Sequence, residues 1–314
     1  PEEALAAREE DRLQALETRL GDAVLGQPAA LRAVADLVRR AQLSLGDPRR
    51  PKASWLFVEP SGTGKTELAR QLARELFGKE DALIRFDMSE FSEGHSVAKL
   101  LGSPAGYVGF REQNRLSDAV RKRPHAVLLF DEFEKAHPDV QHLLLQILED
   151  GTLQDASGKA VSFRQAYIIL TSNAGSEFFK RKAIGFDQAA AGALPEAFIK
   201  EQLRERFRVE LLNRLDRIAL FQPLDETALR AITRRQLDQL VERLKEHHGV
   251  RPAIDGLLAD WLADQARNDA LEGARAVRRT IETHVERLLV DALLAKPKKK
   301  QLKLTLSKGV PAVK

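Results

Sequence analysis

Trp55-Leu56-Phe57-Val58-Glu59-Pro60-Ser61-Gly62-Thr63-Gly64-Lys65-Thr66 decides the fold of this 314-residue chain. Four consecutive apolar residues run straight into a glycine-bearing loop that ends in Lys-Thr. A helical pattern follows, with Leu68, Leu72 and Leu76 on one face. A continuous apolar run reads as a strand buried on both faces. Strand, loop and helix in that order are the setting a Walker A phosphate loop requires. Backbone N–H groups from Gly62 to Thr66 wrap phosphates, and the helix N-terminus favours the same negative charge. Lys65 neutralises the β and γ phosphates, and Thr66 ligates Mg²⁺. ATP and Mg²⁺ are therefore the expected ligands, with Ser61, Gly62, Thr63, Gly64, Lys65 and Thr66 around them. The loop departs from the usual pattern at its first position, where Glu59 stands in place of glycine.

Four more apolar runs surround this one: Leu83–Phe86, Ala126–Phe130, Tyr167–Leu170 and Ile218–Phe221. Helical patterns separate them, so the fold class is α/β with a parallel sheet. The run Ala126-Val127-Leu128-Leu129-Phe130 ends in Asp131-Glu132. A buried strand ending in two acids is a Walker B pattern. Asp131 enters the Mg²⁺ shell beside Thr66, and Glu132 orients and deprotonates the attacking water.

Toward the N-terminus, Glu2–Leu20 carries Leu13, Leu16 and Leu20 on one stripe, and Gly21 is expected to end that helix. A second helix follows Pro28, with Leu31, Val34, Leu37 and Val38 on one side, and Gly46–Lys52 is a loop. After Pro223 the strand pattern fades. Asp225 caps a helix through Leu240, helices are expected at Leu257–Leu262 and Ile281–Leu294, and Leu302–Leu306 reads as a short strand. The expected division is a linker helix over 1–21, a large α/β domain over 22–222, and a smaller, mainly helical α+β domain over 223–314. Pro1 in place of Met reads as a piece of a longer protein.

Hydrophobic residues are 43% and charged residues 31%, and no apolar run approaches the ~20 residues that span a bilayer, so no membrane partner is expected. The absence of cysteine excludes disulfides and thiolate chemistry and suits a reducing, cytoplasmic compartment. The net charge of +4 (50 basic, 46 acidic) gathers partly at Lys296, Lys298, Lys299 and Lys300, a solvated segment. No aromatics interleave with it for base stacking, so no nucleic acid is expected.

Three long motifs carry a family resemblance: Asp131-Glu132-Phe133-Glu134-Lys135-Ala136-His137-Pro138-Asp139-Val140, Arg85-Phe86-Asp87-Met88-Ser89-Glu90-Phe91 and Gly106-Tyr107-Val108-Gly109-Phe110. From Leu25-Gly26-Gln27 to about Leu294 the chain resembles AAA+ Clp-type protein unfoldases and disaggregases (ClpA-, ClpB- and ClpC-like), in particular their C-terminal, second ATPase module. The resemblance implies a P-loop AAA+ large domain with a small lid domain. It assigns sensor 1 to Asn173, the arginine finger that reaches a neighbour's nucleotide to Arg214, and sensor 2 to Arg275. It also puts Leu25, Gly26 and Ile232 at the nucleotide. The family usually has Pro where Ala276 follows Arg275, and its Gly-Tyr signature is missing from Ala266–Ala270.

The same resemblance implies a pore loop. Tyr107 lies between Gly106 and Gly109, beside Val108, where flanking glycines permit motion. Equivalent tyrosines in a hexameric ring would push on an extended polypeptide. Asp155-Ala156-Ser157-Gly158-Lys159 is similar to the second pore loop. Ile184-Gly185-Phe186 is similar to the tripeptide with which relatives dock a ClpP-like peptidase; its other reading is a loop anchor on its own domain. The implied activity is ATP-driven unfolding of unfolded or aggregated proteins threaded through the ring, for disaggregation or for delivery to a peptidase. The alternative is a nucleotide-dependent oligomeric scaffold with weak hydrolysis, which rests on Glu59.

Overall fold

A computed structural model describes residues 10–58, 62–94, 96–101, 115–173, 196–269, 272–295 and 302–313. The chain divides into two units: Pro1–Glu59 with Lys65–Phe221, and Pro60–Gly64 with Gln222–Lys314.

The first unit opens with α1 (Leu16–Ala23) and α2 (Pro28–Gln42), followed by β1 (Ala53–Val58) and α3 (Lys65–Phe77). Next come β2 (Leu83–Asp87), α4 (Ser96–Leu101), α5 (Arg115–Lys122), β3 (Val127–Asp131) and α6 (Pro138–Asp150). The short strands β4 (Thr152–Gln154) and β5 (Ala160–Ser162) precede β6 (Tyr167–Ser172), α7 (Glu196–Arg206), α8 (Val209–Arg214) and β7 (Arg217–Leu220). The five apolar runs form one parallel sheet in the order β2-β3-β6-β1-β7. Strands β1, β3 and β6 are buried along their whole length, which is why their sequences do not alternate. Trp55 stacks on Tyr167 at 6.1 Å between ring centres. Gln42 donates to the Tyr167 hydroxyl at 3.1 Å, and burial pushes that phenol up to about 12. The register sets Val58 beside Ser172 and Asp87 beside Asp131, so the ends of four strands lie along one edge. In sheets of this kind ligands bind outside that carboxyl edge.

Gly21 does not end the first helix. Helix α1 runs through it to Ala23, and the Val24 N–H closes on Leu20 O at 2.9 Å. Leu20 and Val24 are buried against the core, and that burial outweighs the weak helix preference of one glycine, roughly 1 kcal/mol.

The second unit contains α9 (Glu226–His248), β8 (Ala253–Ile254), α10 (Gly256–Arg267) and α11 (Ala274–Ile281). A π-helical turn, Glu282–Glu286, joins α11 to α12 (Arg287–Ala295), and β9 (Lys303–Ser307) and β10 (Val310–Val313) finish the chain. Its sheet has the order β10-β9-β8. Asp225 caps α9 through Ala228 N at 2.7 Å. The helix runs two turns past the expected Leu240, its last buried apolar residue, because Gly249 closes it in the left-handed conformation at φ 63. The expected helix at Ile281–Leu294 starts earlier, at Ala274, with Ala276 and Val277 buried. The strands β4, β5, β8 and β10 were not expected; two to four residues are too few to show a period.

Candidate nucleotide site

Strand ends and one helix start bring five of the expected residues, Lys65, Thr66, Asp131, Glu132 and Asn173, together in the first unit. Lys65 opens α3 and is 8% exposed, and its Nζ donates to Ser172 O and Asn173 Oδ1, both at 3.2 Å. Thr66 follows it, half-buried. Asp131 ends β3; its Oδ1 accepts from Thr171 Oγ1 at 2.5 Å and its Oδ2 meets Arg85 Nη2 at 2.6 Å. Glu132 takes a left-handed conformation (φ 55, ψ 48) that turns the chain off the strand, and its N–H donates to Thr171 Oγ1 at 2.9 Å. Such a conformation costs a non-glycine residue about 1–3 kcal/mol and persists where surrounding bonds fix it. The Glu132 carboxylate meets Lys135 Nζ at 2.5 Å, a hydrogen bond that raises the lysine above its ordinary value. Asn173 N donates to Glu134 Oε1 at 3.1 Å, and Glu134 Oε2 is buried without a hydrogen-bond partner among the described residues.

Thr171, Arg85 and Glu134 were not singled out from the sequence. Glu134 and Arg85 lie inside quoted motifs, and Thr171 stands two residues before Asn173. The contact of Arg85 with Asp131 gave no signal, because only the pairing of β2 with β3 brings the two together.

These residues fit a nucleotide with a magnesium ion. A buried ammonium stands at a helix start, and Gly62 and Gly64 before it have φ 87 and 112, which suits N–H groups turned toward an anion. No cluster of three or more His, Cys, Asp or Glu side chains that would hold a metal occurs among the described residues. Magnesium needs no such cage. It takes one or two protein oxygens with water and phosphate oxygens for the rest, and here Thr66 and Asp131 would supply the protein oxygens.

In the second unit, Gly62 O accepts from Ala274 N at 2.9 Å, so the phosphate loop caps the first turn of α11. A Cβ on Gly62 would lie 1.9 Å from Glu272 O, and one on Gly273 2.5 Å from Gly62 O. Arg275 is exposed on that turn, and Ile232 is half-buried on α9. Leu25 and Gly26 form the turn between α1 and α2, with Gly26 at φ 76. Ser61, Glu59, the pore-loop residues Gly106, Tyr107, Val108 and Gly109, the tripeptide Ile184-Gly185-Phe186 and the lysines 296–300 lie outside the described residues.

Arg214 is not with this group. It ends α8, and its Nε donates to Glu149 Oε1 at 2.6 Å. Two residues on, Asp216 Oδ2 accepts from Ser54 N at 2.8 Å. Ser54 is at the start of β1, whereas the phosphate loop follows Val58 at its end. Four residues of strand separate those ends by about 13 Å.

Asp155 closes the β4–β5 turn. Its Oδ1 accepts from Ser157 N (2.8 Å), Ser157 Oγ (2.7 Å) and Lys159 N (3.0 Å), and Arg121 pairs with its Oδ2. Burial pushes this carboxyl up, but the bonds from Ser157, Arg121 and Lys159 outweigh it and hold the group well below the usual carboxylate range. Replacing it with Asn is expected to cost about 1–3 kcal/mol in urea unfolding at pH 7. A lowered folded value gives stability that is full above the unfolded value, near pH 4, and is lost as pH falls through the folded one. The gap between parent and Asp155→Asn should therefore narrow below about pH 4.

Residues 50–218 match the family described as AAA domain (Cdc48 subfamily), and residues 224–306 match the C-terminal, D2-small domain of ClpB protein. The chaperone protein ClpB of Propionibacterium freudenreichii subsp. shermanii is 44% identical over 287 residues, which are 91% of this chain and 32% of that protein. The negative regulator of genetic competence ClpC/MecB of Bacillus subtilis is 43% identical over 305 residues, covering 94% of this chain and 36% of the relative. A closed-state cryo-EM reconstruction of Hsp104 with ATPγS and FITC casein superposes with a TM-score of 0.88 at 35% identity, over 98% of this chain and 52% of that one. The chain thus spans about a third of the length of the curated relatives it matches.

Proposed function

The chain belongs to the AAA domain (Cdc48 subfamily) family of ATPases, and from that membership we propose that it is the second ATPase module of a Clp-type protein unfoldase. In this reading it hydrolyses ATP to thread polypeptide through a hexameric ring. Lys65 and the Gly62–Thr66 loop bind the phosphates, Glu132 takes the proton of the attacking water, and Asn173 holds the γ-phosphate or that water. A magnesium ion held by Thr66 and Asp131 would neutralise charge developing on the phosphates. Arg275 is the sensor 2 residue of this reading, and Tyr107 grips the substrate. Similarity to a ClpB and to an Hsp104 seen with casein favours unfolded or aggregated protein as substrate. Similarity to a ClpC/MecB keeps a ClpP-like peptidase at Ile184-Gly185-Phe186 in view. No described helix is long and apolar enough to cross a membrane, and we place the protein in the cytoplasm.

The observation that carries the ring is the position of Arg214. It emerges at the start of β1, while Lys65, Asp131 and Glu132 stand at the opposite ends of the strands. An arginine finger so far from its own site serves a neighbour's. ATPase activity per subunit should therefore rise with protein concentration and fall in Arg214→Ala. Activity independent of concentration would end the shared-site reading. ATP binding without turnover at any concentration would favour the scaffold, and Glu59→Gly would then test whether the altered loop is responsible.

A further inference from the structure

The segment beneath Arg214 is built around a second arginine. Arg50 lies in the loop before β1 and is 29% exposed. Its Nε donates to Leu148 O at 2.9 Å, its Nη2 bonds to Arg214 O, and its Nη1 lies 3.4 Å from Asp216 Oδ1. Asp216 is in turn fixed to the central strand: its Oδ2 accepts from Ser54 N at 2.8 Å and Ser54 Oγ at 2.6 Å, and its own N–H returns a bond to Ser54 Oγ at 3.1 Å. One planar fork thus ties the last turn of α6, the backbone of Arg214 and β1 together. Only guanidinium offers donors in that geometry.

The Arg214 guanidinium is held differently. Its bond to Glu149 joins side chains that are 54% and 38% exposed, a surface pair of little strength. Such a pair is readily exchanged for a phosphate. The tip of Arg214 is therefore replaceable while its backbone is anchored. We propose that Arg50 is the positioning residue of Arg214: it fixes the point from which the finger reaches the neighbouring subunit's γ-phosphate and registers that point to β1, the strand that carries the phosphate loop. This rests on the shared-site reading above.

The test uses the 314-residue chain and mixed oligomers. Arg50→Ala should bind a fluorescent ATP analogue as the parent does, because its own Lys65 site is intact. It should lose ATPase activity about tenfold or more, toward the level of Arg214→Ala. Mixing it with Glu132→Gln should restore turnover, because an Arg50→Ala site then meets an intact Arg214 on the Glu132→Gln subunit. A merely structural defect would not be repaired by a partner that cannot hydrolyse. Arg50→Lys keeps the charge and the stem but not the fork, and should behave likewise, which preserves the test if Arg50→Ala folds poorly. Arg214→Ala mixed with Glu132→Gln is the control; recovery there but not in the Arg50 mixtures, or parent-level turnover in both Arg50 variants, overturns the proposal. Failure of the Arg214→Ala mixture as well overturns the shared site itself, and the proposal with it.

Discussion

Replacing Glu132 with Gln is expected to leave ATP affinity within about twofold of the parent and to lower turnover by about 10²–10⁴-fold, the span associated with a positioned general base. The substitution is chosen for what it preserves. Gln has the same length, and the bonds that hold the position are made by other atoms: the Glu132 N–H on Thr171 Oγ1, and Thr171 Oγ1 on Asp131 Oδ1. The left-handed turn at φ 55 should therefore persist. What disappears is the ability to accept a proton, together with the ionic part of the contact to Lys135. In the proposed site, binding rests on Lys65, whose bonds run to Ser172 and Asn173 instead. Fluorescent-nucleotide titration and single-turnover hydrolysis read the two effects apart. Retention of more than about a tenth of parent turnover would take Glu132 out of the base role. Glu134 would be next to test, since its Oε2 is buried beside the same strand ends without a hydrogen-bond partner among the described residues.

The residues that were legible in the sequence are those whose physics is local. A strand buried on both faces must be apolar throughout, so β1, β3 and β6 could be read directly, each within a residue or two of its ends. A loop that turns its N–H groups toward an anion needs glycine at positive φ, and Gly62 and Gly64 stand where that need falls. Asp225 was readable as a cap because its bond reaches only three residues ahead, to Ala228. What stayed hidden depends on partners that only the fold brings near. Arg85 reaches Asp131 across two paired strands, and Arg50 gathers groups from α6, the end of α8 and the start of β7. Neither leaves a pattern in its own neighbourhood. The second unit was read least well, because β8 has two residues and β10 has four, and because α9 continues beyond its buried face on the strength of a glycine cap.

The second large effect is expected at a contact of that hidden kind. Gly273→Ala should weaken ATP binding by about 1–3 kcal/mol, roughly 5- to 150-fold. Two causes act together. Gly273 has φ 53, where an L side chain is strained, and its added Cβ would lie 2.5 Å from Gly62 O, a backbone atom that cannot swing aside as a side-chain tip would. Relief requires Gly62 to move, and Gly62 belongs to the loop proposed to hold the phosphates. Movement also breaks the bond from Ala274 N to Gly62 O, which satisfies the first turn of α11, and shifts Arg275 one residue on. Gly62→Ala meets the same obstacle from the other side, with its Cβ 1.9 Å from Glu272 O. Because both changes break one contact, the double variant should lose much less than the sum of the two losses. Gly249→Ala separates strain from collision: it sits at φ 63 in the same unit with nothing within 4 Å of the added carbon. It should lower thermal stability and leave nucleotide affinity alone. Titration of a fluorescent ATP analogue decides the matter. Parent-like affinity in Gly273→Ala would mean that the two glycines meet without consequence for the nucleotide. Additive losses in the double variant would mean that each acts through a separate contact.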